Sequence, residues 1–344
     1  YWEETNSGGK AFNVPLVILR TSPCRWFTTG GCTMCNYELL AIDGGVGEGD
    51  LISQIDHAVT ALNPIRTYDY IFLTSQGSFF DNHEVSHKLR LKIADKLKAA
   101  GVRAQSTESE AKFCRDPSII EEYQRRLDAP VSIGIGLEAV DPYVRNVIIN
   151  KGLSDETFVA AANGLQEVGV GFYTYVTVGK PFLSIQEDID DAKRAIEYSA
   201  DLGAFMSVLE SINIQPYTLT AHLYDHGLYA PPSIWTGIAI LRELPHELRV
   251  RISLKGIEGD IEPVPVALSV GCNSCTQVLI NAVREWNLHR QFACLERVWG
   301  KCGCFLEWDK QRGAKPSRTI EERVFDGYSR LEERLGLEHQ GHHH

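Results

Sequence analysis

Residues 131–140 read VSIGIGLEAV, an apolar, β-rich run of strand length in which the one charged side chain, Glu138, stands near the end. Working outward, runs of the same kind recur at Val14–Arg20, Tyr68–Ser75, Val102–Glu108, Gly171–Val178, Phe205–Gln215 and Val250–Ile257. Segments of helical periodicity lie between them, such as LISQIDHAVTAL from Leu51 and DIDDAKRAIEYSADLG from Asp188, the second closing on Gly203 as a stop signal. Strand, helix, strand at this rhythm predicts parallel βαβ units. The expected fold is therefore α/β, a partial (β/α)6-type or full TIM-like barrel with its chemistry at the C-terminal ends of the strands. An open doubly wound sheet has the same periodicity and stays the alternative. Beyond about residue 260 the rhythm fails: EPVPVAL is followed by a cysteine-rich stretch and then by a charged helical pattern from Thr319. The expected division is a barrel domain over 1–259 and a small Cys-containing C-terminal extension over 260–344. There is no internal repeat and no low-complexity tract.

The chain has 344 residues, 44% hydrophobic and 23% charged, enough for one large domain and an appendage. No apolar run approaches the roughly 20 residues of a membrane span, and no basic-then-apolar start resembles a signal peptide. These features predict a cytoplasmic protein that meets no membrane. The first residue is not Met and the chain ends in HQGHHH, so His342–His344 read as tag residues and are set aside. The formal charge of −11 disfavours unaided binding of a polyanion, since the best basic stretch, Arg312–Arg318, is short and sparse.

Nine cysteines in unequal clusters, in a chain without an export signal, favour metal ligation or catalysis over disulfides. Three of them lie in CRWFTTGGCTMC, residues 24–35, the loop after the first strand, separated by seven and then two residues. Three thiolates on such a loop can hold three irons of a [4Fe-4S] cluster and leave the fourth open. A structural zinc takes four protein ligands, whereas this loop offers Cys24, Cys32 and Cys35 and no nearby His. In the tail, CNSC at 272–275 and CGC at 302–304 form two thiol pairs 26 residues apart, with Cys294 between. Cys272, Cys275, Cys302 and Cys304 are a candidate second site, for structural zinc, for an auxiliary Fe-S cluster or for thiol capture of substrate or a thiophilic element. Reduced buried cysteines are the alternative there, and the reading for Cys114.

The ordered series GGCTMCNY, TSQGSFFD (74–81), TESE (107–110), GIGLEAVDPYVRNVIINKG (134–152), VGKPFLS (178–184), NIQPYTL (213–219) and LYAPPSIW (228–235) resembles the radical S-adenosylmethionine (SAM) superfamily. The branch it is most similar to contains the archaeosine-forming enzymes and the Elongator-type catalytic subunit. The family's usual cysteines are spaced three and two with an aromatic residue before the last; here the spacing is seven and two, with Met34 in that place. The resemblance implies reductive cleavage of SAM at a [4Fe-4S] cluster held by Cys24, Cys32 and Cys35, usually through a 5′-deoxyadenosyl radical. It also implies an external one-electron reductant of the flavodoxin or ferredoxin type. Ser75, Gln76, Gly77 and Ser78 would form the turn that meets the amino group of SAM. Glu108 and Glu138, at strand ends, would bind the ribose diol or the α-ammonium, or else be structural acids paired with Arg145 or Lys151. Lys151 is a candidate for the SAM carboxylate or for a substrate anion, and Gln215 would line the site from the loop after the sixth strand. Glu138 and Lys180 are the candidates for acting on substrate. A small metabolite or nucleoside, as in natural-product biosynthesis, fits an acidic chain, and tRNA, the substrate implied by the archaeosine-forming enzymes, is the alternative. A non-enzymatic Fe-S or zinc-stabilised module is the reading from another class. It has no need of the polar strand-end series Ser78, Glu108, Glu138, Lys180 and Gln215.

Overall fold

The structure is a computed structural model that describes residues 2–5, 11–42, 45–258 and 264–336. A short antiparallel hairpin, β1 (Trp2–Thr5) and β2 (Ala11–Val14), precedes a sheet of seven parallel strands. These are β3 (Leu16–Ile18), β4 (Ile71–Thr74), β5 (Gln105–Glu108), β6 (Val131–Glu138), β7 (Gly171–Val178), β8 (Met206–Ser211) and β9 (Ile252–Lys255). Their spatial order follows the chain order, every neighbouring pair is parallel, and β3 and β9 are not paired with each other. All seven strands fall inside the runs expected from sequence. The result is an open half-barrel with seven strands, one more than a (β/α)6 sheet, and neither a closed TIM barrel nor a doubly wound sheet.

The helices of the barrel follow in chain order: α1 (Glu48–Ala61), α2 (His87–Ala100), α3 (Pro117–Leu127), α4 (Asp155–Glu167), α5 (Ile185–Asp201), α6 (Leu219–Asp225), α7 (Ile234–Glu243) and α8 (His246–Arg249). The start of α5 shows why local sequence suffices there. Ser184 accepts from the Glu187 amide and Glu187 returns a bond to the Ser184 amide, a reciprocal cap that satisfies two orphan donors. The tail adds α9 (Thr276–His289), α10 (Ala293–Glu296), α11 (Gly303–Gly313) and α12 (Ile320–Leu335). The expected boundary at 259/260 lies outside the described residues, as do His342–His344. Leu279, Val283, Trp286 and Trp308 of the tail share one buried core with the barrel strands.

An open barrel leaves the outer backbone groups of β9 without a strand partner, a cost that a helix can remove. Here α9 does so with side chains. Asn287 brackets Leu254, its Oδ1 accepting from the amide at 3.0 Å and its Nδ2 donating to the carbonyl at 2.8 Å. The Trp286 indole donates to the Ile252 carbonyl at 3.1 Å. Inside the half-barrel a cavity of about 2000 Å³ runs from Phe12, Tyr70 and Arg251 at one end to the strands' C-terminal ends at the other.

Candidate active site

The loop after β3 is held by the loops that follow three other strands. Arg25 forks onto Asp81, beyond β4, at 2.8 and 2.7 Å. The segment beyond β6 grips the loop's centre: Trp26 Nε1 donates to the Asn150 carbonyl at 2.7 Å, Asn150 Nδ2 to the Gly31 carbonyl at 2.7 Å, and the Thr33 amide to the Ile149 carbonyl at 2.9 Å. Asn36 Nδ2 reaches the Pro216 carbonyl beyond β8 at 3.1 Å. The seven residues between Cys24 and Cys32 fold into a 3-10 turn over Phe27–Thr29. Trp26 lines the cavity, and lies so close to Gly152 that a Cβ there would stand 2.7 Å from the indole. Cys24, Cys32 and Cys35 all open on the cavity. Burial raises the Cys24 thiol to about 11 and the Cys32 thiol to about 12, so a metal that binds them must displace their protons.

Buried Glu84 organises the TSQGSFFD turn. Its carboxylate accepts from the amides of Gly77 and Ser78 at 2.9 and 2.8 Å and from the Ser75 hydroxyl at 2.8 Å. Burial pushes its pKa up to about 7 against those donors. A Cβ on Gly77 would lie 2.7 Å from Cys24 Cβ and 2.6 Å from Glu84 Oε1, both well inside contact distance. Gly77→Ala is therefore expected to displace Cys24. Iron content after anaerobic reconstitution should fall while the circular dichroism of the fold persists; full iron content would show that this approach is not required.

Among the acidic residues that line the cavity, Glu108, Glu138 and Glu210 stand at or near the C-terminal ends of the strands β5, β6 and β8. Glu108 accepts from the Tyr175 hydroxyl at 2.5 Å and from Thr74 Oγ1 at 2.9 Å, and burial raises its pKa. Glu138 follows an irregularity in the β6–β7 register and adopts φ +66°, which turns it inward to Lys151 Nζ at 2.8 Å. Burial alone would lower the Lys151 ammonium, but the Glu138 charge raises it overall. Lys151 thus faces the cavity as a paired cation, and the structural pairing entertained from sequence is with Lys151, since Arg145 bonds to Asp155 at 2.5 Å instead. Gln215 lines the cavity and its Oε1 is a buried acceptor without a partner, as is Oδ1 of neighbouring Asn213.

Glu210, at the end of β8, is raised to about 8, by burial first and then by Glu138 and Glu108, with Lys255 acting in the opposite sense. An unfolded Glu releases its proton near pH 4.3. Between that value and about 8 the folded protein binds the extra proton, so this group's contribution to stability is fully present below the unfolded pKa and is lost as pH rises through the folded one. Glu210→Gln should flatten the decline in denaturation midpoint over that window, and an unchanged pH profile would contradict the shift.

Two residues expected at the site are placed elsewhere. Lys180 is 2% exposed, behind the sheet, with Nζ 2.9 Å from Asp188 Oδ1, 3.3 Å from Asp191 Oδ2 and 2.7 Å from the Thr177 carbonyl. The positive charge is consumed by α5, so Lys180 anchors a helix to the end of β7 and does not reach the cavity. Ser78 is fully buried and its hydroxyl accepts from the Glu110 amide at 3.0 Å, a bond that fixes the turn. Ser75, Gln76 and Gly77 do line the cavity. Glu84, Glu210, Lys255 and Asn213 were missed. Glu210 and Lys255 end strands just as Glu108 and Glu138 do, so the same criterion applied to every strand would have found them. The four tail cysteines come together away from this cavity, and Cys114 and Cys294 are buried singly.

The seven-stranded parallel half-barrel is similar in fold to solved radical SAM enzymes. A radical SAM methyltransferase from Sphaerobacter thermophilus superimposes with a TM-score of 0.51 at 15% identity, over 75% of this chain and 70% of that one. An archaeal Methanocaldococcus infernus Elp3 with an N-terminal deletion gives a TM-score of 0.50 at 17% identity, over 83% of this chain and 65% of that one. In sequence the chain is related to proteins named archaeosine synthase subunit beta. It is 26% identical to the one from Methanosarcina acetivorans over 86% of this chain and 83% of the relative. It is also 26% identical to the one from Thermococcus kodakarensis over 91% and 97%. No family model matches the sequence. Among the described residues no helix is long and apolar enough to cross a membrane.

The site fits the [4Fe-4S] cluster and SAM that this fold implies. It has a three-thiol donor set on one loop and unpartnered acceptors at Gln215 and Asn213, all lining a deep cavity.

Proposed function

We propose that the protein is a radical SAM enzyme that modifies a base in tRNA, after the manner named in its archaeosine synthase relatives. The observation that carries the class is that Cys24, Cys32 and Cys35 share one cavity with Gln76, Gly77, Glu108, Glu138, Lys151 and Gln215. The near full-length relation to the archaeosine synthase beta subunits supports the substrate.

Cys24, Cys32 and Cys35 would hold the cluster. When bound, the cluster and SAM together supply one-electron cleavage of the sulfonium and a carbon radical able to remove a hydrogen atom. The chain's own part is to bind, orient and exclude water. The amide oxygens of Gln215 and Asn213 accept from an ammonium. Glu108, held by Tyr175 and Thr74, offers a fixed carboxylate for a diol or a cation. Lys151, kept cationic by Glu138, faces a carboxylate. The half-barrel walls and the Trp26 side chain, packed against Gly152, keep water out. An external one-electron reductant of the flavodoxin or ferredoxin type feeds the site.

A chain of charge −11 needs another source of phosphate contacts, and the subunit naming of its relatives supports a partner chain as that source. The experiment is anaerobic turnover of reconstituted protein with SAM and reductant, in the presence of tRNA carrying a lysine-bearing 7-deazaguanine or of the free nucleoside. Cleavage of SAM stimulated by the tRNA and suppressed by salt supports the proposal. Turnover with the nucleoside while tRNA is inert would overturn it in favour of small-molecule modification.

A further inference from the structure

Outside the cavity, the described residues contain one group of three or more Cys, His or acidic side chains whose ligand atoms all lie within 4.8 Å of one another: Cys272, Cys275, Cys302 and Cys304. The sulfurs form a closed ring, Cys272–Cys275 3.6 Å, Cys275–Cys304 3.4 Å, Cys304–Cys302 3.6 Å and Cys302–Cys272 3.4 Å. We infer that these four thiolates bind a single zinc ion that joins the start of α9 to the start of α11.

Geometry separates the chemistries open to four cysteines. Four thiolates around one zinc at about 2.3 Å stand at tetrahedron corners whose edges are about 3.8 Å, close to the observed spacings. A pair of disulfides would bring the sulfurs together two by two at about 2 Å and leave the pairs apart, not four near-equal separations. A four-iron cluster interposes an inorganic core between its thiolates and needs them much farther apart. The neighbourhood also suits a tetrathiolate carrying negative charge. The Cys272 amide donates to Cys275 Sγ at 3.3 Å and the Trp235 indole N–H to Cys304 Sγ at 3.4 Å. Such outer donors orient thiolates and spread their charge. Trp235, Trp299, Phe305 and Trp308 pack edge to face beside the site.

The position explains what the ion would do. Cys272 and Cys275 precede α9, which caps the open edge of β9, and Cys302 and Cys304 open α11, whose Trp308 donates to Thr236 of α7 at 3.0 Å. The ion closes a loop of the chain across these two supports, so it is structural and makes no contact with substrate.

The test does not depend on the radical SAM reading, because it uses aerobically purified full-length chain with Cys24, Cys32 and Cys35 replaced by Ala. Elemental analysis should find about one zinc per chain, X-ray absorption should show four sulfurs at about 2.3 Å, and a mercurial thiol reagent should release the metal from the unsubstituted protein. Cys272→Ser with Cys302→Ser should abolish the signal, and cobalt taken up in place of zinc should show tetrahedral thiolate bands. Iron in place of zinc, four metal-free titratable thiols, or two disulfides by mass would each overturn the assignment.

Discussion

Cys24→Ala should abolish reductive SAM cleavage, by well over the roughly 100-fold that loss of an outer-shell partner costs a metal site, while leaving the thermal midpoint of the apoprotein nearly unchanged. Two features of the structure separate function from stability here. Cys24 sits on a loop at the cavity mouth and is only half-buried, so truncating it removes little packing. The loop's own conformation is held elsewhere, by Arg25 on Asp81 and by the Trp26 and Asn150 bonds, none of which uses the Cys24 side chain. What the thiol does touch is the inner face of the site: Sγ lies 3.7 Å from Glu110 Oε1, and Cβ lies against Gly77. The long spacing to Cys32 makes Cys24 the most exacting test of the triad. Normal iron content and normal SAM cleavage in the variant would mean that another group holds the third position.

How far such a site can be read without coordinates depends on where the determining contacts lie in the chain. The strand runs were legible because burial in a parallel sheet demands apolar, β-prone sequence regardless of context; Gly171–Val178 is assigned to the residue. The seven strands of the parallel sheet were legible too, but neither the β1–β2 hairpin nor whether the sheet closes. Closure is decided by what covers β9, and that is Asn287 and Trp286, more than thirty residues further along in a segment with no barrel periodicity. At the site, residues that end strands were readable by position, which found Glu108 and Glu138 and would have found Glu210. Side-chain direction was not readable. Ser78 and Gly77 are adjacent, yet one hydroxyl points into the protein to the Glu110 amide while the other backbone faces Cys24. Glu84 was missed because its partners are amides and hydroxyls, which leave no charge pattern in the sequence. The four tail cysteines announced a possible metal site in the sequence, whereas the inference of zinc rests on the sulfur spacings, which the sequence does not contain.

Lys180 marks the limit most sharply, and its substitution should produce the largest loss of stability. A lysine following a strand reads as a surface or site residue, because burying an ammonium costs several kcal/mol unless partners stand ready. The partners come from the next helix: Asp188 and Asp191 face Lys180 Nζ, and all three side chains are at most 4% exposed. Burial alone would lower the ammonium, but the two aspartates raise it, so Lys180 stays charged throughout the physiological range. Asp188 also accepts from the Gly179 amide at 2.7 Å, so the cluster clamps α5 to the end of β7. Lys180→Met keeps the volume of the stem, leaves buried Asp188 without its cation and leaves Asp191 with only the exposed Arg194 guanidinium, 3.9 Å away. Removing one partner of a buried pair costs about 3–5 kcal/mol, which for a chain of this size lowers the melting temperature on the order of 10 °C. Low pH should partly rescue the variant, because protonating Asp188 removes the uncompensated charge. SAM cleavage measured well below the melting temperature should remain within a few-fold of the unsubstituted protein, with an unaltered pH profile, since Nζ never reaches the cavity. A variant that melts normally but is inactive would return Lys180 to the catalytic role its sequence position first suggested.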